Sequence, residues 1–125
     1  MTILVADDYA PVRESLVGLV ESIGEEVLQA EDGDEALQII ELGGVDVLLL
    51  DLYMPRCDGM TVLERLDPAR PPAVIVVSAF EYISRERLQA RFGDRIAAIL
   101  NKPLDPKDLM REVTTALSAR RSRER

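Results

Sequence analysis

Val47-Leu48-Leu49-Leu50-Asp51 is the most apolar of five short runs in this chain, and it stops on a carboxylate. The same figure recurs along the sequence. Asp7 and Asp8 follow Ile3-Leu4-Val5-Ala6, Ser78 follows Val74-Ile75-Val76-Val77, and Lys102 lies just past Ala97-Ala98-Ile99-Leu100. Short leucine-rich or β-branched runs alternating with amphipathic segments are the pattern of repeated βα units and a parallel sheet. In such a sheet the residues that follow the strands collect along its carboxyl edge, where ligands bind. The polar residues at the run ends are therefore expected to meet in space.

Five helices are expected between and after the runs. The first follows Pro11 and sets Val12, Leu16, Leu19, Val20 and Ile23 at helical spacing, with Gly24 as its stop. The second starts near Asp32 as cap, with Glu35 completing a capping box, and ends at Gly43-Gly44. Gly59 precedes a short third helix carrying Val62, Leu63 and Leu66, which Pro68, Pro71 and Pro72 keep from running into the next strand. The fourth is predicted from about Glu81 to Arg91 and is the least clearly patterned. The fifth opens with Asp105 as cap and Pro106 at its first position, then buries Leu109, Val113, Ala116 and Leu117. Val27-Leu28-Gln29-Ala30 is shorter and more polar than the central runs, which makes it an edge strand. Placing it outside the first strand gives a five-stranded parallel α/β sheet of order 2-1-3-4-5, doubly wound with helices on both faces.

At 125 residues and 47% hydrophobic content the chain fits one domain, taken here as residues 1–119, followed by a basic segment 120–125 read as a tail or the start of a linker. No apolar stretch approaches the roughly 20 residues that span a bilayer, and Met1 leads directly into a strand, so a cytoplasmic protein is expected. A net charge of −8 disfavours direct nucleic-acid binding by the domain body. Cys57 is the single cysteine and histidine is absent, which excludes an internal disulfide and a Cys/His zinc site. A phosphohistidine can then only be carried by another protein.

Asp7, Asp8 and Asp51 in one crevice repel one another, a conflict that a hard divalent cation with few protein ligands resolves; Mg²⁺ fits that description. It also neutralises charge where a phosphoryl group arrives. Asp51, alone at the end of the central run, is the candidate nucleophile for an acyl phosphate. Lys102 offers a compact positive charge to phosphoryl oxygens, and Ser78 a hydroxyl donor.

Asp7-Asp8, Asp51 with Met54-Pro55 and Asp58-Gly59 downstream, Ser78-Ala79 and Lys102-Pro103 together resemble the receiver domain of two-component response regulators, over nearly the whole chain. The resemblance implies a flavodoxin-like fold and a phosphoprotein of phosphorelay signal transduction. Asp51 would take a phosphoryl group from a histidine kinase or phosphotransfer protein, giving an aspartyl phosphate. Asp7, Asp8, Asp51 and the backbone carbonyl of Tyr53 would hold Mg²⁺, with a cis bond at Lys102-Pro103. The output would be a binding surface on helix 4, strand 5 and helix 5, directed at a protein target or a missing output domain, with a homodimer through that face left open.

Two departures stand out. Ile99 occupies the position where relatives carry an aromatic switch residue, and a β-branched aliphatic is stiff at χ1. Switching would then run through backbone shifts or through another ring such as Phe80 or Tyr82. Tyr53 and Phe80 occupy positions that border the phosphoryl group in relatives, where two rings should exclude water and slow autodephosphorylation. Competing readings are a scaffold indifferent to phosphorylation, suggested by Ile99, and a Mg²⁺-dependent phosphohydrolase, disfavoured because Tyr53 replaces the second acid of an Asp-x-Asp pair.

Overall fold

A computed structural model describes residues 1–123. Among them the elements are β1 (Thr2–Ala6), α1 (Ala10–Glu21), β2 (Glu26–Ala30), α2 (Gly33–Glu41), β3 (Val47–Leu50), α3 (Gly59–Arg65), β4 (Ala73–Ser78), α4 (Arg85–Phe92), β5 (Ala98–Asn101) and α5 (Pro106–Arg123), with a 3-10 turn at Gly93–Arg95. All strand pairs are parallel and the order is β2-β1-β3-β4-β5, as expected.

Side chains of the central strands alternate between two cores. Leu4, Leu48, Leu50, Val74 and Val76 pack with Leu37, Leu63 and Leu88 of α2, α3 and α4, whereas Ile3, Val5, Leu49, Ile75 and Val77 pack with Leu16 and Val20 of α1 and Leu109, Val113 and Leu117 of α5. Burying each such side chain contributes about 1.5–3 kcal/mol, which is why strands without polar alternation can form only here, between two helical layers.

Asp32 and Asp105 cap as expected, although among the described residues no Glu35 side-chain bond completes a box at Asp32. Asp32 accepts from the Glu35 N–H at 2.8 Å, and Asp105 from the Lys107 N–H at 2.9 Å. Asp58 likewise caps α3 through the Thr61 N–H at 2.8 Å. Each cap is worth about 1 kcal/mol.

Three local details differ from the sequence reading. The buried stripe of α1 is Arg13, Leu16, Val17 and Val20, turned by about one position so that Val12, Leu19 and Ile23 sit at its margin. Helix α4 begins at Arg85 rather than near Glu81. Phe80 stands at φ +57, outside the helical region, and Ser84 accepts from the Arg87 N–H at 3.2 Å and so starts the helix late. The basic segment read as a tail continues α5 to Arg123, with Arg120 donating to the Pro71 carbonyl at 2.9 Å; Glu124 and Arg125 lie outside the described residues.

Two glycines give opposite expectations. A Cβ on Gly59 would meet the Asp51 carbonyl oxygen far inside van der Waals distance and lie 2.7 Å from Leu52 Cα, both backbone, whereas one on Gly18 in α1 would meet nothing within 4 Å. Gly59→Ala should therefore lower stability by about 2 kcal/mol through overpacking. Gly18→Ala should raise it by about 0.5–1 kcal/mol through helix propensity. Urea unfolding of the two variants checks both signs.

Candidate functional site

The ladder of the sheet continues one residue past the strand ends, and that continuation aims the polar side chains. The Asp7 N–H donates to the Ala30 carbonyl at 3.2 Å, the Asp51 N–H to Ala6 at 3.0 Å, and the Lys102 N–H to Ser78 at 2.9 Å. Carboxylate oxygens of Asp7, Asp8 and Asp51 consequently lie within 4.8 Å of one another, with Asp7 and Asp51 buried and Asp8 exposed. Lys102 directly follows β5 and precedes a cis peptide to Pro103, with Nζ 2.8 Å from Asp7 Oδ2 and 3.4 Å from Asp51 Oδ2. The Tyr9 N–H donates to Asp7 Oδ1 at 3.0 Å, and the Tyr53 N–H to Asp51 Oδ1 at 3.4 Å.

Burial pushes the Asp51 carboxyl above the usual carboxylate range; the Lys102 charge opposes this and the Asp7 charge adds to it. Lys102 is itself raised above the ordinary lysine range: burial works against its charge, but the bond to Asp7 and the Asp51 and Asp7 charges outweigh it. The ammonium is therefore charged throughout the neutral range. Three oxygen-bearing acids, one of them facing solvent, form a donor set suited to a hard divalent cation, and the crowded negative charge gives such an ion a reason to bind.

Around this centre, Ser78 closes β4 with its residue fully buried, and its hydroxyl oxygen accepts from the Phe80 N–H at 3.5 Å. Tyr53 is half-buried; its hydroxyl accepts from the Tyr82 and Ile83 N–H groups at 3.0 and 3.1 Å, and its ring meets Tyr82 edge-on at 5.1 Å. Phe80 is half-buried against the α2–α4 core. Ile99 lies in β5 and packs against the same core.

Arg13 was not singled out as a site residue by the sequence reading. It is buried, and its guanidinium donates to the Asp7 carbonyl at 2.9 Å and to Gln29 Oε1 at 3.1 Å, with Glu31 at 3.6 Å. It thereby fixes the backbone that carries Asp7. The signal was present in the spacing: position 13 lies three residues before Leu16 and four before Val17, inside the apolar stripe, where a cation must have partners.

Residues 3–114 match the family model described as the response regulator receiver domain. The chain belongs to the response regulator receiver family. Among similar proteins, the receiver is 33% identical over 118 residues to the transcriptional regulatory protein PdtaR of Mycobacterium tuberculosis, covering 93% of this chain and 56% of that protein. It is 37% identical over 113 residues to the positive alginate biosynthesis regulatory protein of Pseudomonas aeruginosa, covering 87% and 44%. The receiver thus spans about half the length of these relatives. Among solved structures, the REC domain of AraT, a response regulator from Geobacillus stearothermophilus, superposes with a TM-score of 0.85 at 30% identity, covering 99% of this chain and 98% of that one. The signal receiver domain of a putative Luxo repressor protein from Vibrio parahaemolyticus, at 22% identity and a TM-score of 0.89, shares the fold. Among the described residues, no helix is long and apolar enough to cross a membrane.

Proposed function

We propose that Asp51 is the phosphoacceptor of this receiver, supplied by a phosphohistidine on a histidine kinase or phosphotransfer protein. The observation that carries the reading is the convergence of the Asp7, Asp8 and Asp51 carboxylates beside the Lys102 ammonium. Asp7, Asp8, Asp51 and the Tyr53 carbonyl would hold Mg²⁺, which when bound neutralises charge on the incoming phosphoryl oxygens.

The chain's own residues perform the rest. An Asp51 carboxylate oxygen forms a bond to phosphorus as the phosphorus–nitrogen bond of the donor breaks, the imidazole leaving with the bonding pair. Lys102 is already tethered between Asp7 and Asp51 and turns its charge to a phosphoryl oxygen, while the Ser78 hydroxyl donates to another. The modified state would then alter a binding surface on α4, β5 and α5 read by a protein target or an output domain. A phosphohydrolase reading loses ground, because the residue two past Asp51 is a phenol whose oxygen already accepts two backbone N–H groups.

Incubation with acetyl phosphate, with and without Mg²⁺, followed by intact-mass measurement tests the proposal. One phosphoryl adduct per chain is expected only with metal, and none on Asp51→Asn. Continuous phosphate release from simple monoesters would instead indicate a hydrolase. The half-buried rings of Tyr53 and Phe80 lead to a further expectation: Tyr53→Asn combined with Phe80→Glu should shorten the adduct half-life tenfold or more, about 1.4 kcal/mol of barrier per tenfold. An unchanged half-life would remove the rings from that role.

A further inference from the structure

The Tyr53 side chain joins two loops that share no strand pairing. Its backbone follows the phosphoacceptor by two residues, and its hydroxyl takes both the Tyr82 and the Ile83 N–H in the segment leading into α4. The phenolic oxygen accepts from both and so satisfies two backbone donors that precede α4 and have no helical partner of their own. Tyr82 is 81% exposed yet is held edge-on against the Tyr53 ring, so the segment is fixed from one side only.

Both ends of this connection touch the candidate site. The Tyr53 N–H reaches Asp51 Oδ1 at 3.4 Å, a long bond that a phosphoryl group on Asp51 would readily displace. On the other side, the Phe80 N–H reaches the Ser78 hydroxyl oxygen at 3.5 Å, from a residue held at φ +57. A non-glycine residue in that region is held under backbone strain. Movement of the Ser78 hydroxyl toward a phosphoryl group pulls on Phe80 and gives that strain a way to relax. Beyond the segment, Ser84 caps α4 and Arg85 ties its first turn to β5, donating to Asn101 Oδ1 at 2.7 Å and to the Ile99 carbonyl at 3.2 Å. A displacement of residues 82–84 therefore reaches β5 through backbone and guanidinium, with no rotation of the Ile99 side chain.

We infer that the Tyr53 hydroxyl is a latch: it holds residues 82–84 against the phosphoacceptor loop in the unmodified receiver, and modification of Asp51 releases it and passes the change to α4 and β5. The inference deepens the proposed function and rests on Asp51 being the modified residue. The Tyr53 hydroxyl acts by positioning in this scheme and is bonded to the 82–83 backbone rather than to a reacting atom.

Amide hydrogen exchange resolved at Tyr82, Ile83 and the first turn of α4 tests it, on wild type and Tyr53→Phe, each free and with Mg²⁺ plus beryllofluoride as the acyl-phosphate mimic. Intact mass under non-denaturing conditions records whether the mimic is bound. In free wild type the Tyr82 and Ile83 amides should be protected, and Tyr53→Phe should exchange them about fivefold faster, the effect of losing one ordinary hydrogen bond, while β3 amides stay unchanged. The bound mimic should raise exchange at these amides in wild type and change little in the variant. Equal exchange in free wild type and variant would overturn the latch. Protection that survives bound mimic would overturn its link to Asp51, and the wild-type arm alone decides this if the variant folds poorly. Failure to bind the mimic would instead strike the Asp51 assignment, and the inference with it.

Discussion

In metal-free buffer at neutral pH, Asp51→Asn is expected to melt higher than wild type although it loses a contact with Lys102. Burial raises the Asp51 carboxyl above its ordinary range, so the folded chain holds that proton more tightly than the unfolded chain does. The stability this contributes is fully present below the unfolded value near 3.8 and is lost as pH rises through the folded value. At neutral pH the ionised carboxylate therefore opposes folding. Asparagine is neutral throughout and fills nearly the same space, and the Lys102–Asp7 bond at 2.8 Å remains. Each 1 kcal/mol of stability gained is roughly 4 °C in a domain of this size. The gap between variant and wild type should shrink as pH falls through the raised folded value, where wild-type Asp51 takes up its proton, and be gone below the unfolded value near 3.8. Added Mg²⁺ should stabilise wild type more than the variant, in proportion to the difference in affinity. A variant that melts lower at neutral pH and gains as much from Mg²⁺ as wild type would show that Asp51 is neither strained by burial nor a ligand.

Lys102→Met should produce the opposite and larger change. Asp7 is 1% exposed, and its Oδ2 has Lys102 as its charged partner, so removing the ammonium leaves two buried acids with no positive charge between them. Breaking a buried ion pair from one side costs about 3–5 kcal/mol; the lysine retains 23% of its side-chain exposure, which places the expectation at the lower end, about 3 kcal/mol. Because Lys102 is raised above the lysine range by Asp7 and Asp51, the pair's contribution is fully present below the ordinary lysine value and disappears only as pH rises beyond it. Thermal unfolding without metal reads the loss, and Mg²⁺ should restore part of it by supplying the missing charge. Acetyl-phosphate-driven modification of the variant should slow by about a hundredfold or more, the scale of removing one preorganised charge from a phosphoryl or oxyanion site. An unchanged melting temperature without metal would contradict the pairing.

These expectations depend on features of differing legibility. Asp7, Asp8, Asp51, Ser78 and Lys102 could be read because each ends an apolar run, and a parallel sheet brings such ends to one edge whatever the loops do. The sheet order was readable from the polar residues of the β2 run, since an edge strand is covered on fewer sides. The start of α4 was not. Ser84 caps the helix locally, but residues 81–83 do not by themselves forbid one, and the Tyr82 and Ile83 N–H groups are held outside it by the Tyr53 hydroxyl, twenty-nine positions before Tyr82. The α1 stripe is turned by one position because Arg13 belongs to it; only its partners, Asp7 and Gln29, make a buried guanidinium favourable there. The long-range contacts of side chains are what sequence periodicity cannot carry.

Borohydride reduction of the chain after exposure to acetyl phosphate and Mg²⁺ converts an acyl phosphate to a primary alcohol, leaving homoserine where an aspartate stood. Peptide mapping of the reduced chain should find homoserine at Asp51 and at no other acid, and only when metal was present. Homoserine at Asp7 or Asp8, or a chain that remains unmodified under the same exposure, would contradict Asp51 as the residue that accepts the phosphoryl group.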